Sequence, residues 1–259
     1  MEFFANTDIG RKRKNNQDNY CTHKFAEHAL LCAVFDGMGG HAGGETASKI
    51  ARDRFLCTVT EALSGKVNAE LGCLDATKTQ IINVLEKAIA VANTAIFDTS
   101  AESELLAGMG TTLTAILING DVGYAVNVGD SRIYCVKDGE ITKITRDHSY
   151  VQYLIDLGEI TEEEAKTNAN KSIITRAVGT ETQVEADNYT VDCKDASILL
   201  CSDGLTNHVE DAELYSIITS GENAESAIGT LINTANDNGG TDNITAILIN
   251  NRDTTPNEL

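Results

Sequence analysis

Residues 123–144 read GYAVNVGDSRIYCVKDGEITKI. Two runs, Gly123 to Val128 and Arg132 to Lys137, carry the β-branched and aromatic side chains that suit strands. Between Ile133 and Ile144 the pair Asp138-Gly139 separates two apolar segments, which marks a two-residue hairpin turn. A connection this short joins antiparallel neighbours and argues against a purely parallel, doubly wound sheet. Working outward, strand-like runs recur at Leu30 to Phe35, Thr112 to Ile118, Ser197 to Cys201 and Ile244 to Ile249. Helical periodicity fills two segments before residue 100: Ala47, Ala51, Phe55, Val59 and Leu63 step by four, as do Ile81, Leu85 and Ile89. Thr161-Glu162-Glu163-Glu164, after Gly158, has capping-box spacing and predicts a helix start at Thr161. A further helix is predicted over Ala224 to Ala235. This order lays helices over antiparallel sheets, an α+β arrangement in layers. With no internal repeat and no Pro- or Gly-rich linker, residues 1–250 read as one domain and 251–259 as a tail, ending in TTPNEL.

Among 259 residues, 42% are apolar and 23% charged, which is ordinary globular usage and leaves room for a substantial core. The 39 acidic against 20 basic side chains give a formal charge of -19, and no dense basic stretch tracks a phosphate backbone, so nucleic acid is disfavoured as a partner. The acidic excess draws divalent cations toward a cleft, although a solvated acidic surface is its commoner meaning. Seven cysteines form no Cys-x-x-Cys pair; Cys32, Cys135 and Cys201 sit inside apolar runs and read as small buried hydrophobes. Neither zinc spacing nor a redox motif is present, and a reducing compartment follows from the odd count. MEFFANTDIGRKRK has no long apolar region and no run approaches eighteen apolar residues, so the expectation is a cytoplasmic protein without membrane insertion.

Five aspartates stand where apolar runs meet turns: Asp18 in RKNNQDNY, Asp36 in LLCAVFDGMGG, Asp130 in YAVNVGDSR, Asp203 in ILLCSDGL and Asp242 in NGGTDNITAILI. Any single one reads most simply as a turn residue. As a set they resemble a dispersed cage, in which carboxylates leaving the core converge on a hard cation through oxygen. Carboxylate, carbonyl and water ligation suits magnesium or manganese, whereas zinc calls for histidine or cysteine. Two such ions about 3.5 to 4 Å apart hold a bridging hydroxide and support in-line displacement at phosphorus. Gly37 after Asp36 lets the backbone bend around a cation without a side-chain clash, and Asp203-Gly204 repeats the pattern. Gly37-Met38-Gly39-Gly40-His41-Ala42 also fits a dinucleotide loop, a weak match that would set Asp36 beside a pyrophosphate. NDNGGTDN fails the EF-hand spacing. The basic run Arg11, Lys12, Arg13, Lys14 offers either a phosphate contact or a solvated charge run, and the residues alone do not choose among the four.

Taken together, TDIGRKRKNNQDNY, VFDGMGGHAGGETAS, MGTTLTAILI, VGDSRIY, ITRDHSYVQYLIDLGEIT, LLCSDGL and GGTDNIT resemble, in order and spacing, the bacterial metal-dependent PPM/PP2C serine/threonine protein phosphatases. The resemblance covers nearly the whole chain. It implies a four-layer αββα sandwich with two mostly antiparallel central sheets and Mg²⁺ or Mn²⁺ at one edge: two core ions, with room for a third. It makes Asp36 the ligand shared by both core ions, Gly37 a carbonyl ligand, Asp203 and Asp242 ligands of the first ion, and Asp18 an outer-shell residue acting through water. Arg13 takes the phosphate-binding position, and Asp130 with Asp203 the third-ion position. His41 is a candidate proton donor to the leaving oxygen, with helix capping or substrate contact as alternatives, because the histidine of eukaryotic relatives falls where this chain has Met38. His148 and His208 read as surface or loop residues. Residues 149–175 would form a flap beside the site that governs substrate choice. Gln17 stands where glutamate is usual, Thr241 where proline is common, and NANKSIITRAVG lacks a frequent His-Pro. The implied partners of this expected monomer are phosphoserine and phosphothreonine proteins and a membrane-associated serine/threonine kinase. The implied reaction is direct attack by the metal-bridging hydroxide, without a phosphoenzyme. A catalytically silent module of the same fold and a hydrolase of small phosphate esters are the competing readings.

Overall fold

The computed structural model describes residues 1–40 and 43–251. In chain order, β1 (Glu2–Asp8), β2 (Asp18–Ala26) and β3 (Ala29–Met38) precede α1 (Gly43–Leu63). A small hairpin of β4 (Val67–Asn68) and β5 (Cys73–Leu74) leads into α2 (Lys78–Ala101). Next come β6 (Gly110–Thr111), β7 (Leu113–Asn119), β8 (Val122–Val128), β9 (Arg132–Lys137) and β10 (Glu140–Lys143), then the short helices α3 (Tyr150–Asp156) and α4 (Glu162–Lys166). The chain continues through β11 (Asp187–Asp192), β12 (Ala196–Cys201), α5 (Asp203–Thr206), α6 (Asp211–Ser220), α7 (Ala224–Asp237) and β13 (Ile244–Asn251).

Two antiparallel sheets result, ordered β1-β13-β12-β9-β10 and β11-β8-β7-β3-β2, with β6 extending the partnership of β3. Alternation along each central strand sorts its side chains between two cores. Leu31, Ala33 and Phe35 of β3 pack with Ala47, Phe55 and Val59 of α1 and Ile81, Leu85 and Ile89 of α2. Leu30, Cys32 and Val34 point the other way and meet Ile133, Cys135, Ile198, Leu200 and Ile247 of the opposite sheet. The β1-β13-β12-β9-β10 sheet in turn points Tyr134, Leu199 and Leu248 outward onto Leu214 of α6 and Ile228 and Leu231 of α7. The layers are helices, sheet, sheet, helices, as expected. Each fully buried Leu, Ile or Val contributes about 1.5–3 kcal/mol, and three such cores hold the sandwich. Among the described helices α2 alone is long and apolar enough to cross a membrane, and here its Ile81, Leu85, Ile89 and Ile96 are buried in the first core.

Because both faces of the central strands are apolar, polarity does not penalise a one-residue slip, and turns must hold the register. At β9–β10, Lys137 pairs with Glu140 around the predicted Asp138-Gly139 turn. Both turn residues have positive φ, 52° and 86°, which defines a type I′ turn. The β8–β9 connection, one residue longer, does something else. Gly129–Ser131 carries the chain from one sheet to the other, so β8 pairs with β7 and β11, and β9 with β10 and β12. Gly129 has φ 108°, and a Cβ there would lie 2.6 Å from Thr112 Cγ2, so only glycine makes the crossing. It leaves Asp130 at the seam between the sheets.

Candidate active site

Asp18 and Asp36 face each other across β2 and β3 as register partners. Asp18 therefore opens a strand rather than closing an apolar run, and Asp36 lies inside β3, whose last residues Gly37 and Met38 pair with β6. The Asp36 backbone is fixed on both sides: its N–H donates to Thr112 Oγ1 (2.9 Å), and its carbonyl accepts from Thr112 N–H and Thr111 Oγ1, both at 2.8 Å. Asp203 opens α5, Asp242 stands two residues before the first residue of β13, and Asp130 sits in the crossover turn. Burial, then the charges of Asp18, Asp203, Asp130 and Asp242, push the Asp36 carboxyl well above its ordinary range. Burial raises Asp130 and Asp203 in the same direction, each reinforced by a neighbouring carboxylate. The five predicted aspartates thus form one electrostatic group.

Asp18 is the clearest case. Its Oδ2 accepts from Ser202 Oγ and Thr245 Oγ1, both at 2.7 Å, while its buried Oδ1 has no hydrogen-bond partner. Burial pushes this carboxyl up to about 7. Asp130 Oδ1 is also buried and partnerless. Buried polar atoms are nearly always satisfied, so two orphaned carboxylate oxygens within a group of like charges mark a place built for a cation. The donors are all oxygen, which fits magnesium or manganese. Among the described residues no three acidic, histidine or cysteine side chains form a ready-made cage. The orphaned oxygens and mutual repulsion are the stronger sign, because like charges held in one buried group are relieved by an opposing charge. We conclude that the residues fit such ions.

Arg13 alone of the basic run reaches this group, through Nη2 to Asp242 Oδ2 at 2.6 Å. Its guanidinium pKa is raised by that bond and by the charges of Asp242, Asp36 and Asp203. Arg11 instead points to Asp237 at 3.9 Å on the surface. Gly37 is wedged beneath the site: a Cβ there would stand 2.1 Å from the Gly44 carbonyl and 2.6 Å from that of Gln17. The backbone of Gln17 is fully engaged, its carbonyl accepting from Gly37 N–H and Ser48 Oγ and its N–H donating to Asn243 Oδ1. His41 lies outside the described residues.

Sequence reasoning missed the polar scaffold. Asn243 Nδ2 donates to the carbonyls of Ile9 and Asn15, which ties down the loop carrying Arg13. Arg132 makes three contacts of 2.7–3.1 Å to the buried Asp147. His148 is not a surface residue but 4% exposed. Its Nδ1 accepts from Gly129 N–H at 3.0 Å, beside Asp130, its Nε2 faces Asp187, and burial lowers its pKa. The only prior signal was a polar residue inside or beside an apolar run, as with Ser202, Asn243 and Thr245. Beyond Asp130 and Asp203 a cleft of about 520 Å³ opens between α3–α4 and α5–α6, bridged by Lys166 to Glu210 at 2.8 Å. The α3–α4 excursion is closed at its base by the Ser149–Ile174 bridge and by Thr175 N–H to the His148 carbonyl.

A helix-covered double sheet with clustered aspartates and an arginine among them is the architecture of the 2C-type phosphatases. The chain belongs to that family: residues 9–248 match the protein phosphatase 2C family model. It is 38% identical over 245 residues to the serine/threonine phosphatase stp of Listeria innocua, covering 94% of this chain and 93% of that protein. Stp1 from Staphylococcus aureus superposes with a TM-score of 0.87 at 34% identity, over 96% of this chain and 94% of that one. The catalytic domain of the serine/threonine phosphatase PstP, solved in complex with two manganese ions, superposes with a TM-score of 0.78 at 36% identity, over 95% and 96%. The protein is accordingly an enzyme, a hydrolase of the protein phosphatase 2C type.

Proposed function

We propose that this phosphatase hydrolyses phosphoserine and phosphothreonine in proteins by direct displacement at phosphorus, with two manganese or magnesium ions held by Asp36, the Gly37 carbonyl, Asp203 and Asp242. When bound, such ions supply Lewis acidity and an activated water. Arg13 holds the phosphate: its planar fork matches two phosphate oxygens, and at 48% side-chain exposure it is open to an incoming substrate. Asp18, with Oδ2 locked by two hydroxyls, presents Oδ1 to order solvent in the outer shell. Asp130 and Asp203 together offer a third, weaker position. In the cell the activity opposes a serine/threonine kinase acting on the same proteins.

The observation that carries the reading is the pair of buried, partnerless oxygens on Asp18 and Asp130 among carboxylates of raised pKa. Its test is phosphate release from a phosphothreonine peptide by purified protein. Manganese should support turnover and excess chelator should abolish it; Asp36→Asn and Asp242→Asn should each lower kcat by about 100-fold or more, as loss of metal-borne charge stabilisation predicts. Full turnover in either variant would remove that residue from the ligand set.

A further inference from the structure

Two residues beyond the end of α5, the ring of His208 turns back onto the loop that carries Asp242. Both of its nitrogens are used. Thr241 N–H donates to Nε2 at 3.1 Å, so Nε2 bears the lone pair. The ring proton therefore sits on Nδ1, which donates to the Asn238 carbonyl at 3.1 Å. Thr241 Oγ1 lies 2.7 Å from the same Nε2, and Asn238 Nδ2 donates to the His208 carbonyl at 2.8 Å. Gly239 lies against the ring, where a Cβ would stand 3.3 Å from Cε1.

Helix α7 fixes only the near half of this loop, through the N–H groups of Gly239 and Gly240 to the carbonyls of Asn236 and Ala235. Gly239 and Gly240 have φ of 130° and 50°, so the backbone there has the freedom of two consecutive glycines. Beyond Gly240 it is His208 that restrains the loop, holding Thr241, one residue short of Asp242, and bracing it against Asn238 at the end of α7. The same loop supports the opposite side of the site. The Gly240 carbonyl accepts from Arg11 N–H at 2.7 Å, two residues before Arg13, and Arg13 closes the circuit on Asp242.

We propose that His208 is a positioning residue: with Nε2 accepting and Nδ1–H donating, it sets the Asn238–Thr241 loop, and through it the placement of Asp242 and Arg13. This rests on the role assigned above to Asp242. Three variants separate the ring's hydrogen bonds from its bulk. His208→Gln keeps an acceptor for Thr241 N–H and a donor for Asn238, His208→Asn keeps only a group near the Nδ1 position, and His208→Phe keeps volume alone. The measurements are manganese affinity by calorimetry without substrate, KM and kcat for a phosphothreonine peptide, and the melting temperature in excess chelator. The Phe and Asn variants should bind manganese about tenfold more weakly, the usual scale for lost orientation of a ligand, and raise KM several-fold. Gln should restore both to within about twofold, and melting in chelator should stay near wild type in all three. Unchanged manganese affinity in His208→Phe, or a Gln variant no better than Phe, would overturn the proposal. Asp242→Asn measured alongside separates the two claims: if it also leaves manganese affinity intact, the ligand assignment fails; if it weakens binding while the His208 variants do not, only the positioning role fails.

Discussion

At Asp18 the proposed function and stability pull in opposite directions. Burial raises this carboxyl from 3.8 to about 7, against the hydrogen bonds from Thr245 and Ser202 and with help from Asp203 and Asp242. The folded protein thus holds the proton more tightly than the unfolded chain. The stability this group contributes is complete below about pH 4, shrinks as pH rises, and is lost above about pH 7. The difference between the two states corresponds to at most roughly 4 kcal/mol. Asp18→Asn removes the ionisation and keeps the shape. Its amide oxygen can accept from both hydroxyls at their present 2.7 Å, while its NH2 replaces the partnerless Oδ1 in surroundings rich in carboxylate acceptors. In excess chelator near pH 8 the variant should therefore be more stable than wild type by about 2–4 kcal/mol, or roughly 5–15 °C in melting temperature. Scanning calorimetry from about pH 4 to pH 8 should show the gain vanish at the acid end, where both proteins are neutral at this position. The variant should also lose part of the stabilisation that added manganese gives. An equal or lower melting temperature near pH 8 would refute the claim that burial of charge dominates at Asp18.

Arg13→Ala should raise KM for a phosphothreonine peptide by about tenfold or more, the scale of a lost charge-assisted contact, with a smaller change in kcat; unaltered kinetics would take Arg13 out of the phosphate site. In Gly37→Ala the new methyl would start 2.1 Å from the Gly44 carbonyl, so β3 and α1 must part, at a cost of about 2 kcal/mol or more visible in the denaturant midpoint. Asp147→Asn leaves Arg132 without its charged partner. Because the Arg132 side chain is 28% exposed, the loss should be about 2 kcal/mol in chemical unfolding, below the 3–5 typical of a fully buried pair.

The parts of the fold legible in the sequence are those with burial on two faces. β7, β9, β12 and β13 are central or nearly so and appear as apolar runs whose limits match the structure to within two residues. Apart from the two-residue strands β4, β5 and β6, the strands not read, β1, β2 and β11, all lie at sheet edges. One face of each meets solvent, so EFFANTD and DNYTVD carry too much polarity to stand out. The edge strand β10 was found only because its Asp-Gly turn is unmistakable. The capping box at Thr161 is present as read, with Thr161 N–H to Glu164 Oε2 at 2.8 Å, whereas α6 was missed. The aspartates could be found because a carboxylate next to an apolar run is conspicuous. Ser202, Asn243 and His208 could not, since their partners lie 184, 226 and 33 residues away, and nothing local distinguishes such a residue from an ordinary loop polar group.

The first and last strands of the double sheet lie side by side, Asp8 opposite Ile244, and the Arg13–Asp242 contact spans 229 residues. Loops this long close late, after local hairpins and helices have formed. A ribosome-bound chain can therefore complete the layer of α1, α2 and the β11-β8-β7-β3-β2 sheet before the proposed ligand set is assembled. With the ligand set proposed above, dephosphorylation requires β13 docked against β1, which brings Asp242 to Arg13, so enzyme activity reports a late, long-range step of folding.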